Sequence, residues 1–296
     1  MTRRGALSVG RFGARPGRFT AVFAMAAALS VSGCAGPSGM DRVVDELNSF
    51  RVGDGAYSPV TPTGRNEGDD PVHDMSALYF AAALADSSGR GSEVVSVEKV
   101  REYVATQPGC DGALFAASLL HIAQERDKAL EKNAASCSIK RLTSDGVTQM
   151  NAEGTGLTIQ MLERLGYADD IPPLKAELFD VDDRTDRYHA WQTLALAPYL
   201  ANKTEALQHF DSQVAESSEF LESPDSKALV GEIVAAYQVP GNGIGEAGLP
   251  DTLESWLDKA RGCEGAEQFY RPFQSADVCT LKETWAAFSS GLVNPK

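Results

Sequence analysis

From residue 71 onward, apolar positions recur with the period of a helix that buries one face. Leu114, Phe115, Ser118, Leu119 and Ile122 stand at i, i+1, i+4, i+5 and i+8, and Leu229, Val230, Ile233, Val234 and Tyr237 repeat that spacing. Further stretches fit helices at about 74–86, 96–106, 155–166, 186–200, 250–261 and 278–290. Alternating β-branched runs are almost missing, the best being Val94 to Val97. The pattern predicts an all-α domain over 71–296. Turn signals at Pro108-Gly109, Ile171-Pro172-Pro173, Ser223-Pro224-Asp225 and Val239-Pro240-Gly241-Asn242-Gly243 cut it into helical hairpins. A weak repeat runs through them. Thr252-Leu253-Glu254-Ser255-Trp256 and Thr280-Leu281-Lys282-Glu283-Thr284-Trp285 each open a helix on a threonine cap and bury a tryptophan one turn later, and Leu157, Met161 and Leu165-Gly166 share the leucine-then-glycine ending. Repeated helix pairs imply a stacked solenoid or a ring, closed or incomplete, because no single pair buries its own apolar face.

Ahead of this domain, residues 34–70 are rich in Gly, Pro, Ser, Asp and Thr, with one apolar cluster at Val43, Val44, Leu47 and Phe50. That composition predicts a flexible tether with one helical turn docked on the domain. Hydrophobic residues make up 43% of the chain, enough for a sizeable core. The balance of 27 Lys+Arg against 41 Asp+Glu gives a formal net charge of −14, which repels phosphate and argues against nucleic acid as a partner.

The first residues set an expected address. Arg3, Arg4, Arg11, Arg15 and Arg18 precede an apolar run, Phe19 to Val31, that is too short for a permanent span. The run ends in Val31-Ser32-Gly33-Cys34, which resembles a bacterial lipobox. The resemblance implies that residues 1–33 are a lipoprotein signal peptide, that Cys34 is acylated, and that the chain is lipid-anchored on the outer, extracytoplasmic face of the cell membrane. Arg3-Arg4 is similar to a twin-arginine export signal, though Ala6 stands where such signals carry an aromatic residue or leucine, so the general and twin-arginine routes both remain open. Cleavage removes five arginines and leaves a more acidic body, which an anionic membrane surface repels, so the lipid itself must do the anchoring.

Beyond Cys34 the cysteines are Cys110, Cys137, Cys263 and Cys279, an even set in an oxidising compartment. Of three possible pairings we expect the local one, Cys110–Cys137 with Cys263–Cys279, each closing one excursion between helices. A four-cysteine metal site would need short CxxC knuckles, which the sequence lacks. No metal or cofactor is expected.

Two stretches resemble the α/α toroid family of squalene–hopene cyclases, class II terpene cyclases and protein prenyltransferase β-subunits. Lys99-x3-Tyr103-x3-Gln107-x4-Gly112-x-Leu114 is similar to that family's QW repeat, with leucine in place of tryptophan, and Asp111-Gly112 fits its Asp-Gly turn. Asp180-Val181-Asp182-Asp183 is similar to the DxDD acid motif. The resemblance implies a toroid-like fold, with Asp182 as a general acid that protonates an alkene or epoxide and with Asp180 and Asp183 holding its proton. Arg184 and Arg187 follow directly and would draw a carboxyl the other way, and the residues alone equally predict a solvated helix N-terminus, where acids are favoured. As a calcium loop the stretch fails, because Arg184 takes the third ligand position. Asp277-Val278-Cys279 resembles the zinc ligands of prenyltransferase β-subunits, but no histidine follows His209.

His73, His121, His189 and His209 are dispersed. His121 reads as a satisfied core histidine, and His189, about two turns beyond Asp182, is the one to test beside the carboxylates. Trp191, Trp256 and Trp285 read as core, with the lining of a ligand cavity as the other possibility. No nucleophile elbow, Walker loop or dinucleotide fingerprint is present. The expected function is a membrane-anchored lipoprotein whose non-catalytic helical domain binds a small apolar ligand or a membrane-protein partner. A cyclase- or prenyltransferase-like enzyme using Asp182, and a structural or regulatory envelope lipoprotein, are the alternatives.

Overall fold

The computed structural model describes residues 39–53, 56–61, 75–106, 108–242, 244 and 248–293. The signal segment 1–33, Cys34, His73 and Gln107 lie outside the described residues. The fold is mostly helical, as the periodicity predicts. In chain order the helices are α1 (Gly39–Glu46), α2 (Met75–Asp86), α3 (Gly91–Val94), α4 (Val97–Ala105), α5 (Cys110–Ile122) and α6 (Lys128–Asp145). There follow α7 (Ala152–Leu165), α8 (Arg184–Ala195), α9 (Lys203–His209), α10 (Asp211–Glu222), α11 (Val230–Gln238), α12 (Asp251–Ala260) and α13 (Leu281–Ser289). Two small antiparallel hairpins accompany them, β1 (Arg51–Gly53) with β2 (Ala56–Tyr57) and β3 (Arg261–Cys263) with β4 (Ala266–Tyr270).

Local chemistry sets the helix ends. Asp127 caps α6 by accepting from the backbone of Ala129 and Leu130 at 3.0 and 2.9 Å, and Thr280 caps α13 by accepting from Glu283 at 3.2 Å. Gly166 closes α7 in the left-handed conformation, φ +85°. Thr252, expected to cap its helix, instead lies inside α12 and donates to the Glu222 carbonyl, because Pro250 already sets the extended geometry of the start. The Val94 to Val97 run forms no strand: Val94 ends α3 and Val97 opens α4, with valines buried at 94 and 95. Asp111-Gly112 is likewise no turn, since both residues sit in the first turn of α5.

The helices pack in a circuit in which α2 meets α5, α5 meets α7, α7 meets α8, α8 meets α11, α11 meets α13 and α13 returns to α2. Two apolar cores fill it. One gathers α1, α2, α5, α6 and α7 around Phe50, Tyr79, Leu114 and Leu162; the other gathers α8, α11 and α12 around Trp191, Phe210, Ile233 and Trp256. Leu178 and Phe288 pack against both, so the described residues hold together as one compact unit.

The stretch predicted to be a tether requires a correction. Val43, Val44, Leu47 and Phe50 are buried, Phe50 stacks on Phe269 with centroids 4.6 Å apart, and Ser58 and Thr61 pair with the backbone of Phe50 and Cys279. Residues 39–53 and 56–61 therefore pack with the folded body, the docked turn that the apolar cluster predicts among them, because this segment carries enough large apolar side chains to offset the entropy of ordering it, while 62–70 of the expected tether lie outside the described residues. Among the described residues no helix is long and apolar enough to cross a membrane.

Candidate functional site

A groove of about 510 Å³ lies between α5, α6 and α7. Asp111 and Phe115 stand one turn apart on α5, Arg141 and Asp145 one turn apart on α6, and Leu157 and Met161 one turn apart on α7, so helical spacing aims each pair at the same space. Two cross-links join the α5 and α6 walls. Cys110 and Cys137 are bonded, with Cα atoms 5.6 Å apart, and one turn on Arg141 donates two charge-assisted bonds to Asp111. The connection from α6 to α7 closes one end. Gly146 turns at φ +65°, and a Cβ there would lie 2.6 Å from the Lys175 carbonyl, so this position demands glycine. Asn151 staples the loop, accepting from Thr148 N–H at 2.7 Å and donating to Gly146 O at 3.2 Å. Met150, at the tip, is 85% exposed. Phe115 and Leu157 are half-buried and Met161 fully buried, which gives the groove an apolar floor beneath a charged rim.

The acid motif lies elsewhere. Asp180, Asp182 and Asp183 are all exposed. Asp183 is the N-cap of α8, accepting from Thr185 and Asp186 N–H at 2.7 and 3.0 Å. Asp182 N–H donates to Asp186 Oδ2 at 3.2 Å, and the other oxygen of Asp186 accepts from Gln149 Nε2 at 2.5 Å. These carboxylates do the work of a helix N-terminus, the reading that the residues alone also allow. Arg184 reaches away from them to α11, binding buried Glu232 through Nε at 2.7 Å and Nη2 at 2.5 Å, and Asp225 at 3.2 Å. His189 is not brought to Asp182. Its ring lies beside Tyr188, 5.8 Å between centroids, and its Nδ1 is buried without a partner among the described residues.

A second polar cluster, which the sequence reading missed, sits at the far end of α5. Glu131 is buried and accepts from Arg126 at 2.8 and 2.7 Å, while His121 Nδ1 lies 3.8 Å from the same carboxylate with no hydrogen bond of its own. His121 is thus not the satisfied core histidine expected. Burial, and then the Arg126 charge, pull its pKa below the ordinary histidine value, outweighing Glu131. Arg126 in turn holds Glu131 below the usual carboxylate range. Beside them Arg164 pairs with Asp86, and burial raises the Tyr79 hydroxyl. The signal for this cluster was a glutamate at a core position of a helix, preceded at i−5 by arginine.

The cysteines pair as expected. Cys263 and Cys279, Cα atoms 5.9 Å apart, tie the β3–β4 hairpin to the approach of α13, and Cys279 is fully buried, which leaves Asp277-Val278-Cys279 no thiolate for zinc. Trp191 and Trp256 are core residues whose indole N–H groups donate to Gln213 O at 2.9 Å and Asp225 O at 2.7 Å; Trp285 packs on Phe80. None of the three lines the groove. In the QW-like stretch, a Cβ on Gly112 would lie 2.3 Å from the Tyr103 hydroxyl, so this glycine lets α4 and α5 meet. Among the described residues no three His, Cys, Asp or Glu side chains gather as metal ligands. No protein family, characterised protein or solved structure matches the chain.

Proposed function

We propose that this chain is an extracytoplasmic lipoprotein, held on the outer face of the cell membrane by acylated Cys34, whose helical body is a non-catalytic binding module. The observation that carries the reading is an order along the chain: five arginines without an acid, an apolar run of signal-peptide length, Val31-Ser32-Gly33-Cys34, and then a body that opens at Gly39. Five residues from Cys34 to Gly39 reach at most about 18 Å even when fully extended. A lipid on Cys34 thus holds the body against the bilayer surface instead of on a long stalk. The circuit of helices from α2 through α5, α7, α8, α11 and α13 supports a toroid-like arrangement. That Asp183 caps α8 and Asp182 faces solvent favours binding over cyclase-like acid catalysis, which needs its acid inside an apolar cavity.

The test is metabolic labelling in a bacterial host with an alkyne fatty acid, followed by mass spectrometry of the purified N-terminus. The expected result is an acylated Cys34 at the mature N-terminus and loss of label in Cys34→Ser. A mature chain that begins elsewhere, or incorporates no fatty acid, overturns the anchor.

A further inference from the structure

We infer that the groove between α5, α6 and α7 binds a small amphiphile with an apolar body and a cationic head, such as an alkylammonium. This rests on the reading of the body as a binding module and is independent of the anchor. The volume, about 510 Å³, lies within the range of small-molecule sites. Gly154 points the same way. It sits in the first turn of α7, lines the groove, has no left-handed φ, and a Cβ built on it would meet nothing within 4 Å. Neither conformation nor a neighbouring atom calls for glycine there, and alanine would make the better helix residue. Gly154 is exposed on the wall of the groove, and in this reading its missing side chain leaves that wall open. Gly146 and Gly112, in contrast, are each required by an atom under 3 Å from their missing Cβ.

Met150 supplies the second observation. It is the most exposed large apolar side chain among the described residues, and it stands on the lip of the groove, where an apolar ligand would cover it. The charges choose the head group. Those lining the groove are Asp111, Asp145 and Arg141, two carboxylates against one guanidinium. Arg141 already gives both of its terminal nitrogens to Asp111. Among the described residues Asp145 accepts a hydrogen bond from the Ser144 hydroxyl at 2.7 Å and acts on Arg141 through its charge alone. A cationic head can therefore settle on Asp145, whereas an anionic head would meet two carboxylates and a single guanidinium whose charge Asp111 already neutralises. The acidity of the whole chain adds to the same preference.

The methionines make the test site-specific, since only Met150 and Met161 line the groove while Met40 and Met75 report on the fold elsewhere. The full chain carrying Cys34→Ser, with both disulfides formed, is labelled at the methionine methyls and titrated with n-octylammonium and, separately, n-octanoate. We expect saturable shifts of Met150 and Met161 with octylammonium, stationary Met40 and Met75, and at least about tenfold weaker binding of octanoate. Gly154→Leu should abolish the shifts while leaving the Met40 and Met75 signals in place, and the milder Gly154→Ala should weaken binding. Asp145→Asn should erase most of the preference for the cation, and Asp111→Asn, which frees Arg141, should bring octanoate up. Equal affinity for both probes, shifts at Met40 and Met75 as large as those at Met150 and Met161, or binding undiminished in Gly154→Leu would each overturn the inference. These outcomes leave the acylation test untouched, so failure here and failure of the anchor are separately visible.

Discussion

Replacing Arg184 with alanine should be the most damaging single change within the stretch that resembles an acid motif. Its guanidinium makes two bonds to Glu232, at 2.7 and 2.5 Å, and a longer one of 3.2 Å to Asp225. The Glu232 side chain is 5% exposed, that of Arg184 34% and that of Asp225 61%. Removing one partner of a fully buried pair costs about 3–5 kcal/mol, because the other charge is left without water or counter-charge. Here water entering along the vacated arginine stem partly resolvates Glu232, which also keeps the Leu229 N–H at 2.8 Å. The Asp225 contact, being exposed, adds about 0–1 kcal/mol. The expected loss is therefore about 2–3 kcal/mol, which for a body of this size lowers Tm by roughly 5–10 °C. Thermal and urea unfolding followed by tryptophan fluorescence would report it directly, since Trp191 lies on the same helix. The double variant Arg184→Met/Glu232→Leu removes both charges and should recover most of the loss. A single variant within about 0.5 kcal/mol of the parent would refute the reasoning, as would a double variant at least as unstable as the single one.

Two further outcomes separate the readings of the same region and of the buried histidine. Asp183→Ala should cost about 1 kcal/mol as the loss of the α8 cap, whereas Asp182→Asn should change stability by less than about 0.5 kcal/mol; urea midpoints of the two variants make the comparison. His121 faces Arg126, Glu131, Arg164 and Asp86, and its pKa in the folded protein is lowered from 6.5, so the unfolded chain binds its proton first. Stability from this site is complete above that value and is lost as pH falls through the folded pKa, and His121→Phe should flatten the decline of Tm below about pH 6.5.

The readable parts of the fold were those where large apolar side chains mark the buried face. α5 and α11 carry Leu, Ile and Val at helical spacing and lie where the pattern put them. α6, the longest helix described, went unmarked because its inward seam is Glu131, Ala134, Ala135, Ser138 and Leu142. The spacing is helical, but small and polar residues carry it, and only the Asp127 cap announces it. α1 was legible only as the docked turn that its apolar cluster marks, because the Gly-, Pro- and Ser-rich composition around it reads as a tether. The two hairpins were illegible for another reason, since strands of two to five residues are too short to show an alternation. At the site, Asp182 drew attention by chemistry alone. The groove was not legible at all, because its walls come from α5, α6 and α7 and what distinguishes it is space, visible only once the helices are placed.

The disulfide and the groove explain one another. Cys110 precedes Asp111, and Cys137 stands one turn before Arg141, so the covalent bond and the ion pair fasten the same two walls about one turn apart. Both helices bury small side chains, Ala116 and Ala117 on α5 and Ala134 and Ala135 on α6, each of which buries little area. The bridge closes a loop 27 residues long, worth about 3.5 kcal/mol in the chain-entropy account, comparable to what burying four methyl groups supplies. A wall set this way needs an oxidising compartment to form. In an oxidising compartment the chain can lock α5 to α6 beside the open face of α7; in a reducing one the two helices would keep their packing and the Arg141–Asp111 pair but lose the covalent tie.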